Sequence, residues 1–122
     1  MAKKILIVDD EPKIIRLLAT RLKAQNYDVI AAYDSVQAVK MAHECKPDLI
    51  ILDIRMPAGG GMTAFNNLKM SVDTMIIPII FLTADQSEET RKKALEMGAE
   101  DFLTKPFDGE LLVEKVKAIL KE

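Results

Sequence analysis

Along the chain, short runs of consecutive apolar residues alternate with stretches in which apolar residues recur every three or four positions. The first run, Lys4 to Val8, reads as a strand, and the residues that follow, Ile14, Ile15, Leu18 and Leu22, form the buried stripe of a helix over Pro12 to Ala24. Pro12 is tolerated there because the first turn has no use for its missing N–H. Asp28 to Tyr33 predicts a second strand. Asp34 or Ser35 then caps a helix running to about Cys45, with Val36, Val39 and Ala42 as its inward face. The third strand, "DLIILD" from Asp48 to Asp53, is an unbroken apolar run, the mark of a strand buried on both faces. The loop "IRMPAGGGM" follows, then a helix from about Met62 to Met70. Ile77 to Thr83 is the fourth strand, with Pro78 near its start, where a missing ladder donor does least harm. A helix begins at Asp85 or Ser87, carries Glu88 and Glu89 in its first turn, and ends at Gly98 as a left-handed cap. Asp101 to Leu103 makes a short fifth strand. Asp108 caps the last helix, whose Leu112, Val113, Val116, Ile119 and Leu120 turn wholly or partly inward.

Five strands alternating strictly with five helices predict an α/β fold: a doubly wound, five-stranded parallel sheet covered on both faces, because parallel neighbours need right-handed crossovers. With 122 residues and no linker, repeat or low-complexity stretch, one domain over 1–122 is expected. Ligands of such sheets gather at the carboxyl ends of the strands, so the residues that end each run are the informative ones. Strand one ends at Asp9 and Asp10, strand three at Asp53 and strand four at Thr83, and the fifth is followed by Lys105 and Pro106. Taken singly, such residues also serve as caps and strand ends. Together they place three carboxylates, a hydroxyl and an ammonium on one rim, and carboxylates so close repel one another unless something positive sits among them.

Composition narrows the options further. Apolar residues make up 49% and charged residues 30% of a chain with net charge -2, a globular profile with no footprint for nucleic acid or an anionic membrane. Cys45 is the single cysteine, and the first twenty residues resemble neither a signal peptide nor a membrane span, so a reducing cytoplasm is the expected compartment.

Four segments, "ILIVDDEP", "PDLIILDIRMP", "PIIFLTA" and "GAEDFLTKPF", stand in an order and at a spacing that resemble the receiver domain of two-component response regulators. The resemblance covers nearly the whole chain. It implies the flavodoxin-like (βα)5 fold with strand order 2-1-3-4-5, as in the chemotaxis regulators. It implies that Asp53 is a phosphoacceptor taking a phosphoryl group from a sensor histidine kinase or a phosphotransfer protein. Asp9, Asp10, Asp53 and the backbone carbonyl of Arg55 would bind Mg²⁺, with Mn²⁺ also suited to that hard-oxygen set. Lys105 would pair with Asp53 and then with the phosphoryl group, aimed by a cis peptide to Pro106, and Thr83 would donate its hydroxyl. Thr83 and Phe102 would form the switch, with Phe where many relatives have Tyr, and small Ala84 would leave room for the phosphoryl group. Output would pass through the face of the fourth helix, fifth strand and fifth helix to an output domain or target protein. A phosphorylation-dependent homodimer is a further expectation on that face. The chain would catalyse its own phosphotransfer and hydrolysis and turn over no external metabolite.

Arg55 and Asp85, each two residues beyond a rim residue, are expected to pair across the mouth of the pocket and slow the attack of water on the phosphoryl group. Glu11 and Pro12 are assigned to the start of the first helix. His43 has no second ligand at metal spacing and reads as a surface residue, Cys45 as a small buried hydrophobe, and Met56, Met62, Met70 and Met75 as core packing. Gly59 to Gly61 lacks the "GK[ST]" ending of a nucleotide loop. Two rival chemistries fail on particular residues. A flavin mononucleotide carrier needs a phosphate cradle where "DDEP" stands, and a phosphatase of the haloacid-dehalogenase type needs an acid where Arg55 stands. A degenerate receiver that only binds partners would not need the complete set of rim residues.

Overall fold

A computed structural model describes residues 2–55, 60–85 and 87–122. In chain order the elements are β1 (Lys4–Val8), α1 (Pro12–Lys23), β2 (Asp28–Ala32), α2 (Ser35–Cys45), β3 (Leu49–Asp53), α3 (Gly60–Met70), β4 (Ile79–Thr83), α4 (Glu88–Glu96), β5 (Asp101–Thr104) and α5 (Gly109–Leu120). The strands form one sheet in the order β2-β1-β3-β4-β5, every neighbouring pair parallel. The α/β architecture and the strand order are as expected.

The period of two along the strands builds two cores. Leu6, Val8, Ile50, Leu52, Ile79 and Phe81 point to the face covered by α2, α3 and α4, where Ala38, Ala42, Ala64, Phe65, Leu68 and Ala94 meet them. Ile5, Ile7, Leu49, Ile51, Ile80 and Leu82 point the other way, against Ile15, Leu18 and Leu22 of α1 and Leu112 and Val116 of α5. All residues of β3 and β4 are buried, which is why "LIILD" and "IIFLT" are continuous apolar runs up to their final polar residue. Among the described residues, no helix is long and apolar enough to cross a membrane.

Several boundaries differ from expectation for local reasons. Val36 is 77% exposed: Asp34 caps α2 by accepting the Gln37 N–H, and the inward stripe is then Ala38 and Ala42. Val36 lies two residues, about 200° of helical rotation, away from Ala38. β2 stops at Ala32 because the Tyr33 N–H is taken by the Gln37 side chain. The Ile77 N–H bonds to Thr74 in a turn and Pro78 has none to offer, so β4 starts at Ile79. Gly98 has φ of 105° just past α4, the left-handed position its sequence context predicted. The methionines divide: Met62 packs on the core, Met70 and Met75 are exposed, and Met56 lies outside the described residues. Cys45 is half-buried rather than buried.

Candidate functional site

Parallel register brings the strand ends to one rim. Val8 pairs with Leu52, Asp53 with Leu82, and Thr83 with Thr104, so the residues that end or follow β1, β3, β4 and β5 lie side by side. Asp9, Asp53 and Thr83 are buried, while Asp10 is exposed.

One local device orients three of these side chains. Asp9 Oδ1 accepts the Glu11 N–H at 2.9 Å, Asp53 Oδ1 accepts the Arg55 N–H at 3.0 Å, and Thr83 Oγ1 accepts the Asp85 N–H at 3.0 Å. Each strand thus turns over its own terminal side chain, the habit of short polar residues where a strand becomes a loop. For the two aspartates this ties one oxygen to the backbone and leaves Oδ2 for the centre of the site. Thr83 accepts through its oxygen and keeps its hydroxyl hydrogen to donate.

Lys105 reaches that centre from beyond β5. Its N–H bonds to the Thr83 carbonyl at 2.7 Å, and its peptide to Pro106 is cis. The ammonium stands 3.0 Å from Asp9 Oδ2, 3.3 Å from Asp53 Oδ2 and 3.7 Å from Glu11 Oε1. The Asp53 contact is a hydrogen bond. The Asp9 contact is an ion pair, and among the described residues it is the polar contact of buried Asp9 Oδ2.

Electrostatics follow from this crowding. Burial pushes the Asp53 carboxyl above the ordinary carboxylate range and the neighbouring Asp9 charge adds to the rise, against the opposing pull of the Arg55 N–H and Lys105. For Lys105, burial is the largest single influence and acts downward. Its contacts with Asp9 and Asp53 more than reverse it, so the ammonium is held above its usual value.

Asp9, Asp10 and Asp53 each offer a carboxylate oxygen within 4.8 Å of the others. The donor set fits a hard divalent cation: several anionic oxygens, two of them on buried carboxylates, and an exposed Asp10 on the solvent side.

Two features at the rim depart from the sequence reading. The Asp85 carboxylate is engaged by the Thr90 hydroxyl and the Ser87 N–H, which hold it below the usual carboxylate range. No Arg55–Asp85 ion pair forms among the described residues; both instead line a cavity of about 210 Å³ beside Thr83, floored by Ile54, Met62 and Phe81. Glu11 occupies the cap position of α1 without making a side-chain cap bond, and its carboxylate turns to Lys105. Its spacing of two from Asp9 was the available signal. Gly61 is the other residue the sequence reading passed over: a Cβ there would lie 2.0 Å from the Asp53 carbonyl oxygen, so α3 can approach the end of β3 only through a glycine.

Phe102 pairs in register with Phe81 and packs, partly buried, against the α2–α4 core. Lys115 of α5 and Arg91 of α4 lie 5.8 and 5.9 Å from its ring centroid. Ala84 is exposed beside Thr83.

Comparison with known proteins agrees with this arrangement. A sequence profile of the response regulator receiver domain matches residues 5–117. The structure is similar to the chemotaxis response regulator CheY4 of Vibrio cholerae, with 29% identity, a TM-score of 0.90, and 98% of this chain and 99% of that one covered. It is also similar to a two-component response regulator from Clostridium difficile, with 31% identity, a TM-score of 0.88, and coverage of 98% and 97%. A third relative is the receiver domain of a sensor histidine kinase from Pseudomonas aeruginosa, solved with a magnesium ion coordinated in its active-site cleft. It is 29% identical with a TM-score of 0.89, and both chains are fully covered. A profile spanning nearly the whole sequence, a five-stranded sheet in the same order and a common overall structure converge on one conclusion: the chain belongs to the response regulator receiver domain family, the signalling switches of two-component systems.

Proposed function

We propose that this receiver domain is a phosphorylation-controlled switch in which Asp53 is the phosphoacceptor. The observation that carries the reading is the state of the Asp53 carboxylate: buried, fixed through Oδ1 by the Arg55 N–H, and presenting Oδ2 to Lys105. Attack by Asp53 Oδ2 on the phosphorus of a phosphohistidine forms the O–P bond of an acyl phosphate and breaks the P–N bond, the electron pair returning to the imidazole of the donor kinase or phosphotransfer protein. Lys105 follows the charge onto the phosphoryl oxygens, and the Thr83 hydroxyl, accepting from Asp85, donates to another. Asp9, Asp10, Asp53 and the Arg55 carbonyl would hold Mg²⁺ or Mn²⁺, which supplies neutralisation of charge on the transferring group. Ala84, small and exposed, leaves space at the rim for the phosphoryl oxygens.

Output follows from adding about two negative charges beside Thr83. Movement of Thr83 toward the phosphoryl group frees space on the side of Phe102, and Phe102 stands between α4 and α5 with a cation from each helix near its ring. The α4–β5–α5 face is therefore the surface offered to an output domain, a target protein or a second phosphorylated copy. Incubation with Mg²⁺ and acetyl phosphate tests the reading: a phosphoryl mass adduct is expected on the wild-type chain and none on Asp53→Asn. An adduct that persists in Asp53→Asn overturns it.

A further inference from the structure

We propose that Glu11 is a positioning residue for Lys105: it receives the ammonium when a divalent cation occupies the carboxylates. The inference rests on the cation-binding reading of Asp9, Asp10 and Asp53 above.

Lys105 serves as a counter-ion of the site, at 3.0 Å from Asp9 Oδ2 and 3.3 Å from Asp53 Oδ2. Asp9 is also one of the three carboxylates grouped closely enough to hold a metal, so Lys105 and a cation compete for it. An ammonium and a divalent cation at the same carboxylate repel each other in a partly buried site where screening is weak, which favours withdrawal of the ammonium. Binding a cation therefore favours a shift of Lys105 away from Asp9. A partly buried ammonium that gives up one partner incurs a desolvation penalty unless another anion takes over.

Glu11 is placed for that task. Its N–H is fixed on Asp9 Oδ1, which holds its backbone beside the site. Its side chain makes no cap bond to α1, and its Oε1 lies 3.7 Å from Lys105 Nζ. It does not join the group of three carboxylates that could hold a metal. With 62% of its side chain exposed, against none for Asp9, Glu11 offers the ammonium a partner on the solvent side of the rim. A short slide from Asp9 to Glu11 keeps Lys105 paired throughout, and leaves it near Asp53 to meet an incoming phosphoryl group.

Two predictions separate this role from the bare effect of a negative charge near the metal. Glu11→Gln should weaken Mg²⁺ binding, measured by calorimetric titration, by roughly three- to fivefold, the scale of a partly exposed ion pair. In a Lys105→Met background the same Glu11→Gln change should alter Mg²⁺ affinity by less than about 1.5-fold, because the residue through which Glu11 acts is gone. Lys105→Gln, which keeps a donor for the two carboxylates, is the second background if the Met variant does not fold. An equal loss in both backgrounds overturns the inference, since Glu11 would then act on the cation directly. No loss in the wild-type background overturns it as well. Absence of Mg²⁺ binding by the wild-type chain would instead overturn the cation reading, and the inference with it.

Discussion

At the scale of single residues, Asp53 and Gly61 carry opposite kinds of constraint. Burial raises the Asp53 pKa in the folded chain, whereas the unfolded chain ionises at the ordinary value. Between the two, the folded state holds a proton that the unfolded state has released, so the contribution of this group to stability falls as pH rises through the raised pKa and recovers as pH falls. Asp53→Asn should accordingly be more stable than wild type at pH 7, an advantage that shrinks as pH falls towards the ordinary carboxylate range. Urea midpoints at pH 7 and in that range check it, and equal midpoints at pH 7 would mean that Lys105 and the Arg55 N–H fully offset burial. Gly61 is constrained by space alone. Gly61→Ala puts a methyl group 2.0 Å from the Asp53 carbonyl oxygen, backbone that can yield only by moving α3 or the end of β3. The expected cost is about 1–3 kcal/mol of stability, with loss of the phosphoryl adduct because Asp53 itself is displaced. By contrast, the three atoms nearest a Cβ at Gly109 all belong to the Arg21 side chain, which can swing aside, so Gly109→Ala should leave phosphorylation unchanged in the same assay.

At the scale of elements, helix caps show how local chemistry supports a site built from distant strands. Asp108 accepts the N–H groups of both Glu110 and Leu111, fixing the start of α5 three residues after Lys105. Asp108→Ala should lower stability by about 1 kcal/mol in a denaturant titration, the usual worth of such a cap. That cap, like those at Asp34 and Ser87, was legible in the sequence because it depends on residues two or three apart. So were the strands, whose apolar runs are long and unbroken in β3 and β4. Strand order came from the resemblance and not from the pattern, since nothing in the alternation of β and α says which strands become neighbours. What escaped the sequence reading depends on side-chain direction. Val36 faces water because the helix starts one residue before it, Asp85 hydrogen-bonds to Thr90 while Arg55 acts on it only through its charge, and Glu11 faces Lys105 although the two are far apart in the chain. A run of glycines likewise read as a loop, when Gly60 and Gly61 open α3.

At the scale of the whole molecule, the site exists only when the chain is folded. Asp9 and Asp10 follow β1, Asp53 ends β3, and they are brought together by the pairing of Val8 with Leu52 across two strands that are not consecutive in sequence. Cations that bind this group select the folded state, which links metal binding to stability by mass action. The same cations relieve repulsion that the folded chain otherwise carries, because among the described residues the closely set Asp9 and Asp53 share one ion-pair partner, Lys105. Raising Mg²⁺ to about a hundred times its dissociation constant should therefore stabilise the wild-type chain by about 2.7 kcal/mol, read as a shift in urea midpoint at constant ionic strength. Constant ionic strength matters because general screening also eases carboxylate repulsion. The shift should shrink strongly in Asp9→Asn, which removes a fully buried carboxylate, and less in the exposed Asp10→Asn. Equal shifts in wild type and Asp9→Asn would show that Mg²⁺ stabilises the chain elsewhere on its surface, and the β1–β3 rim would then not be where the cation acts.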